Sequence, residues 1–313
     1  MDKIKEIFQL IEKEKYEEAV VQGIKYFQLK FSSNAMELVV PKESPIWQLE
    51  TANRLYFYSI AGVCSQYFGQ QSHACAFFRE IWQESNSLPV KWENYSHYLM
   101  KCHYLFLPKE EYFKLHQGYN ALFKDIWQFK HKRRLHKKHR RIRIGYLSSD
   151  FNKCVLMDFI RVLVAYANQA DFQVYCFSNG KVDELTEFYR SCPVEWVDIA
   201  GLNALDAARA IYAKEIDILF DLAGHTRNNL PILAYKPAPV QMCGIGYFAT
   251  TGLDRVDYFL TDSYLCHKDT HRYFVEKLLV MPKSHFCYWP RKNMPQEIQG
   301  TPAQKRLHYL RQL

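Results

Sequence analysis

The chain has 313 residues, 48% of them apolar and 16% aromatic, and a formal net charge of +8. That size and composition allow a large buried core, which excludes a disordered polypeptide and suggests two domains. No run approaches about eighteen consecutive apolar residues, the Met-Asp-Lys-Ile-Lys-Glu start lacks a signal-like apolar stretch, and the nine cysteines follow no paired or metal-like spacing; a membrane span and a disulfide framework are therefore not expected, and a reducing cytoplasm is.

Residues 1–130 read as helices, because apolar side chains recur at three- and four-residue spacing. Ile4, Ile7, Phe8 and Ile11, then Ala19, Val20, Ile24 and Phe27, form two stripes around the polar Lys13-Glu14-Lys15, which predicts a helical hairpin. Leu55 to Phe68 and Ser72 to Trp82 form a second pair with Gly69 at the turn, resembling one degenerate tetratricopeptide-like (TPR-like) unit. Pro41, Pro45, Pro89 and Pro108 punctuate the region too loosely for a regular repeat array. Trp92 to Ile126 predicts a further linking pair whose aromatic positions are core.

A basic segment follows, residues 131–140 forming the expected linker. From Lys130 to Arg143 there are nine Lys or Arg and no acid; without them 32 bases face 33 acids, so the excess charge is local. A solvated linker explains such a run better than a polyanion site, since no aromatics interleave to stack bases, and nucleic acid is not an expected partner.

From residue 141 to 290 short β-rich segments alternate with helices. Strands are predicted at Ile142–Leu147, Phe172–Phe177, Val194–Ile199, Ile216–Leu222, Val240–Gly244, Tyr258–Thr261 and Leu278–Met281, and helices at Met157–Ala167, Asp183–Tyr189 and Ala204–Ala213. This pattern implies a parallel sheet covered on both faces, a Rossmann-like α/β lobe after an α-helical region. Residues 291–313 read as a polar tail.

Chemistry in such a lobe belongs at the carboxyl ends of its strands. Three loops qualify: Ser148 to Phe151, Gly224-His225-Thr226, and Gly246-Tyr247-Phe248-Ala249-Thr250-Thr251-Gly252. If they converge, His225 is the candidate base for an acceptor hydroxyl, and Asp150, Gly224, Thr226, Gly246, Tyr247, Thr250, Thr251 and Gly252 are candidates to line the substrate site. Each has a plainer alternative: His225 bonding its own loop, the Thr pair satisfying a turn, Asp150 capping the next helix. Gly244-x-Gly246 has its third glycine only at Gly252, too late for a dinucleotide fingerprint, and Cys266, His267 and His271 lack a second ligand pair, so neither a cofactor nor a metal is predicted. No Gly-x-Ser-x-Gly elbow occurs.

Asp221 to Asp262, DLAGHTRNNLPILAYKPAPVQMCGIGYFATTGLDRVDYFLTD, together with RIRIGYLSSDF at Arg141 to Phe151 and the Glu-Lys-Leu segment before Tyr288, resembles the SPINDLY/O-GlcNAc transferase family, glycosyltransferase family 41. The resemblance covers about residues 140–290 and implies the acceptor-side lobe of an inverting, metal-independent GT-B enzyme. Such an enzyme moves a sugar from a nucleotide donor, UDP-GlcNAc or similar (GDP-fucose in the plant SPINDLY branch), to Ser or Thr hydroxyls of a protein acceptor. Two departures stand out. Cys154 occupies the position where the family carries a histidine after Asp-Phe, and a thiol does not replace imidazole as a base. Residues 140–313 have room for one Rossmann-like lobe, so the donor-binding lobe is expected from a second chain or a longer parent protein. The alternative is a noncatalytic protein-binding module derived from such an enzyme.

Overall fold

A computed structural model describes residues 2–131 and 141–289. Three helical pairs come first: α1 (Asp2–Glu12) with α2 (Tyr16–Tyr26), α3 (Thr51–Tyr67) with α4 (Gln71–Glu84), and α5 (Leu88–Cys102) with α6 (Lys109–Asn120). The apolar stripes are what fold them: Ile7, Ile11, Ala19 and Val20 are buried between the first two helices. Gly69 takes φ +74° in the turn from α3 to α4, the left-handed region that glycine enters without steric penalty. Pro89 lies in the first turn of α5, where a missing N–H leaves no helical bond unmade. A ribbon of β1 (Lys30–Phe31) and β2 (Leu38–Val39) joins the first two pairs. Two residues per strand are too few for alternation to register, so the sequence did not disclose it.

The second part alternates β3 (Ile142–Ser148), α7 (Met157–Ala165), β4 (Phe172–Ser178), α8 (Thr186–Ser191), β5 (Val194–Asp198), α9 (Ala204–Ala213), β6 (Ile218–Asp221), α10 (Leu230–Ala234), β7 (Val240–Cys243), β8 (Tyr258–Asp262) and β9 (Lys277–Met281). The seven strands form one parallel sheet in the order β5-β4-β3-β6-β7-β8-β9. All seven expected strands are present. α8 starts three residues later than predicted because Asp183 folds back on the chain, its carboxylate accepting from the backbone N–H of Leu185 at 2.9 Å and of Thr186 at 3.2 Å. α9 starts where Asn203 caps it by accepting from the Asp206 N–H at 2.9 Å.

Period-two alternation sorts the strand side chains between two cores. Leu147, Tyr175, Phe177, Leu219 and Phe259 face one side and Tyr146, Val174, Cys176 and Phe220 the other. The second set is covered by Ile160 and Val164 of α7 and Tyr189 of α8. The first set is continuous with the helical core, including Phe77, Tyr98, Tyr119 and Phe123. The expected division near residue 130 therefore separates types of element, while the apolar interior runs through it.

Residues 132–140 of the basic run and the expected tail lie outside the described residues. The run's visible ends serve the fold: His131 Nε2 is 2.8 Å from the Lys236 carbonyl, and Arg143 Nη1 reaches Glu215 at 3.0 Å and the Lys214 carbonyl at 3.1 Å. Among the described residues no helix is long and apolar enough to cross a membrane.

Candidate functional site

The sheet order runs from β3 to β4 and β5 on one side and from β6 to β9 on the other, so the connections leaving β3 and β6 diverge and open a crevice at the strands' carboxyl ends. A hollow of about 410 Å³ lies there, lined by Asp150, Cys154, Leu156, Thr226, Arg227 and Gly246. Three of the predicted residues, Asp150, Thr226 and Gly246, meet in it. Asp150 does not cap α7, which begins after Leu156. Its buried carboxylate instead accepts from Arg227, one oxygen lying 3.1 Å from Nε and 2.8 Å from Nη2. The Arg227 side chain is 52% exposed, so the pair joins a fixed carboxylate to a guanidinium open to solvent. Thr226 donates its hydroxyl to the Ala223 carbonyl at 2.7 Å. A Cβ at position 246 would sit 2.4 Å from the Leu222 carbonyl oxygen, so only glycine lets this wall close on the β6 loop.

Cys154 donates toward the Asp150 carbonyl at 3.5 Å. Burial and then the Asp150 charge push its thiol above the ordinary range. A neutral thiol is neither a base nor an activated nucleophile.

The remaining predicted residues occupy a different place, the seam between the sheet and helices α5 and α6. His225 is 1% exposed, and both ring nitrogens are engaged. Nε2 donates to the Thr251 carbonyl at 2.8 Å, which leaves Nδ1 to accept from the Ser96 hydroxyl at 2.9 Å. Burial, with His116 and His103 nearby, holds the imidazole neutral well below its usual range. In this geometry neither ring nitrogen of His225 is free, and the ring fastens the Gly-His-Thr turn to α5 through Ser96; acting as the base for an acceptor hydroxyl requires one of these two bonds to open. Tyr119, Tyr247 and His116 enclose it at ring-centroid distances of 4.7, 5.2 and 5.5 Å.

Tyr247 is likewise a seam residue. Its hydroxyl lies 2.6 Å from His116 Nε2 and 2.8 Å from His103 Nε2. His116 Nδ1 donates to the Tyr112 carbonyl at 2.8 Å, so its Nε2 accepts from Tyr247, and His103 donates to the same hydroxyl. Burial pushes His116 down to about 3 and His103 down to about 4, which keeps both neutral and this donor order intact.

Thr250 and Thr251 are 1% and 0% exposed, and Glu276 claims both hydroxyls. The Thr250 hydroxyl donates to Oε2 at 2.7 Å, and the Thr251 backbone N–H donates to Oε1 at 2.7 Å. Neither offers a hydroxyl to a ligand here. Gly252 has φ +70°, and a Cβ there would lie 1.9 Å from the His116 carbonyl oxygen. Gly224 packs against the Tyr247 ring and donates its N–H to the Asp221 carboxylate at 2.7 Å. Asp221 is fully buried and pushed up to about 6 by that burial, while Asn229 and the turn's N–H groups hold it in place.

Sequence reasoning missed Arg227, Glu276, Asp221 and the helical partners Ser96, His103 and His116. Arg227 directly follows the singled-out Gly-His-Thr, and its charge beside a strand end was a readable signal. Glu276 stands in the quoted Glu-Lys-Leu motif. The helical partners are more than a hundred residues from their contacts, so no local pattern marks them. Among the described residues no three His, Cys, Asp or Glu side chains gather as a metal could require.

Comparisons with known proteins bear on this arrangement. The family model for glycosyl transferase family 41 matches residues 119–300, more than half of the chain. A protein of Petunia hybrida named "Probable UDP-N-acetylglucosamine--peptide N-acetylglucosaminyltransferase SPINDLY" is 37% identical over 157 residues, 48% of this chain and 17% of that protein. Its namesake in Arabidopsis thaliana is 38% identical over the same shares, and the UDP-N-acetylglucosamine--peptide N-acetylglucosaminyltransferase of Caenorhabditis elegans is 30% identical over 47% of this chain and 13% of its own. The matches thus span about a sixth or less of these relatives' length. A solved structure of a mutant O-GlcNAc transferase from Thermobaculum terrenum superposes on 96% of this chain and 61% of its own with a TM-score of 0.64 at 18% identity, a likeness of fold. With the helical region, the seven-stranded parallel sheet and the family match in agreement, the chain belongs to glycosyltransferase family 41.

Proposed function

We propose that the chain supplies the acceptor side of a protein O-glycosyltransferase, which moves GlcNAc or a related sugar from a nucleotide donor such as UDP-GlcNAc to a Ser or Thr hydroxyl of a protein. The observation that carries this reading is the hollow at the sheet's switch point, where Asp150, Thr226 and Arg227 present acceptor and donor groups together in a family-41 chain. A sugar or acceptor hydroxyl donates to carboxylate oxygen and accepts from guanidinium N–H, and this pair offers both within one site. An ion-paired carboxylate orients a hydroxyl more than it strips it, so Asp150 positions the acceptor and Arg227 fixes Asp150. The diphosphate is to be held by a second lobe, in the same polypeptide or another. The neutral thiol of Cys154 beside Asp150 favours one competing reading, a binding module that holds the acceptor without transfer.

The test is transfer of radiolabelled GlcNAc from UDP-GlcNAc to Ser/Thr peptides by the full protein and by Arg227→Ala and Thr226→Val. Both variants are expected to lose at least about tenfold in transfer, the scale of one positioning contact, while remaining folded by circular dichroism at the assay temperature, with a melting temperature lowered by the loss of the Asp150 and Ala223 bonds. Variants as active as the parent would move the site elsewhere, and no transfer by the parent even when a family-41 donor-binding lobe is supplied would favour the binding module.

A further inference from the structure

The helical region carries an open groove that the crevice chemistry does not use. Two hollows of about 690 and 470 Å³ meet between α2 and the carboxyl half of α3 and share Glu17, Val21, Cys64 and Phe68. The apolar side chains there face solvent, with Val21 63%, Tyr67 83% and Phe68 55% exposed. Single exposed apolar residues are ordinary on a surface, but a contiguous set lining a groove marks a contact site. The groove is also acidic. Glu14, Glu17 and Glu18 line it against Lys15, which lies 3.8 Å from Glu18. The Cys64 thiol inside is raised by burial and then by the charge of the same Glu17.

We propose that this groove docks a peptide segment in which Lys or Arg alternates with branched or aromatic apolar side chains. The cations answer the three glutamates and the apolar side chains cover Val21, Tyr67 and Phe68. The chain's excess of base lies in the Lys130–Arg143 run, so the groove's own sign is set by its three glutamates against Lys15, and it favours a cationic segment over a polyanion. Two adjoining hollows that share a wall suit a chain segment running through both better than a compact small molecule in one. The groove lies wholly in the helical region, so the inference stands whether or not the crevice transfers sugar.

Fluorescence anisotropy of the full chain with a fluorescein-labelled peptide of about twelve residues, alternating Lys or Arg with Leu and Phe, tests it. A peptide with Glu in place of the bases is the comparison. Saturable binding of the basic peptide is expected, weakened by salt, and weakened about tenfold by Glu14→Gln/Glu17→Gln/Glu18→Gln, the combined effect of three exposed ion pairs. Tyr67→Ser/Phe68→Ser is expected to weaken it as well, and both variants keep the parent's melting temperature because every changed side chain is at the surface. No binding of the basic peptide, equal binding of the acidic one, or an affinity unchanged in both variants would each overturn the proposal.

Discussion

His225→Ala separates a histidine that fastens the fold from one that performs chemistry. Removing the imidazole leaves the Ser96 hydroxyl without its acceptor and the Thr251 carbonyl without its donor, and both residues are buried. Each orphaned polar group costs about 1–3 kcal/mol, and the cavity opened among Tyr119, Tyr247 and His116 adds to it, for a total of about 3–5 kcal/mol. At about 2–4 °C per kcal/mol for a chain somewhat shorter than this one, the melting temperature should fall by roughly 10 °C. Thermal unfolding of parent and variant at neutral pH, followed by circular dichroism, reads the difference. His225→Gln, which can keep one of the two bonds, should fall between them. A melting temperature for the alanine variant within about 2 °C of the parent, the scatter of a surface substitution, would refute the structural role and return His225 to the chemistry.

Acid should weaken the protein through the same seam. His116, held at about 3, and His225, held well below its usual range, stay neutral when folded but take protons near 6.5 when unfolded, so their contribution is complete above 6.5 and is lost as pH falls below it. From about pH 7 to about pH 5 His116 alone removes about 2 kcal/mol, and His225 acts in the same direction. Asp221, raised to about 6, opposes this by about 1.3 kcal/mol as it gains its proton, and Glu80 and Glu276, both raised chiefly by burial, oppose it too, but His103, held at about 4, adds to the other side, so the three histidines win. Urea midpoints should therefore be lower at the acid end, and a higher one would contradict the assignment. Gly252→Ala combines a left-handed backbone with a Cβ 1.9 Å from a carbonyl oxygen and should cost more than about 3 kcal/mol, whereas Gly69→Ala, with nothing within 4 Å, should cost only about 1 kcal/mol. Equal losses in the two denaturation curves would rule out the close approach at His116.

The parts of the fold that follow from local periodicity were legible in the chain. Short β-rich segments such as Ile142 to Leu147 marked the strands, and the stripes around Lys13-Glu14-Lys15 marked a helical hairpin, because burial imposes a pattern on each element. Half of the crevice was legible too, since topology puts strand-end loops at Asp150, Thr226 and Gly246. The other expected residues lie in the seam instead, for a physical reason. A small, polar, glycine-bearing loop satisfies equally well the needs of a ligand site and of a tight seam between packed units. Thr250 and Thr251 look open until Glu276 is seen to take both hydroxyls, and the His225 ring looks free until Ser96, 129 positions earlier, is seen to bond it. Contacts at that range leave no local signature.

The shared interior of Phe77, Tyr98 and Phe123 with Leu147, Leu219 and Phe259 sets the smallest piece that can live alone. A fragment cut at residue 119, where the family match begins, would bare the greasy underside of the sheet and discard Ser96, His103 and His116. Such a fragment should precipitate on expression. The last helical pair and the sheet therefore stand or fall together, a body that reaches further toward the amino terminus than the matched stretch.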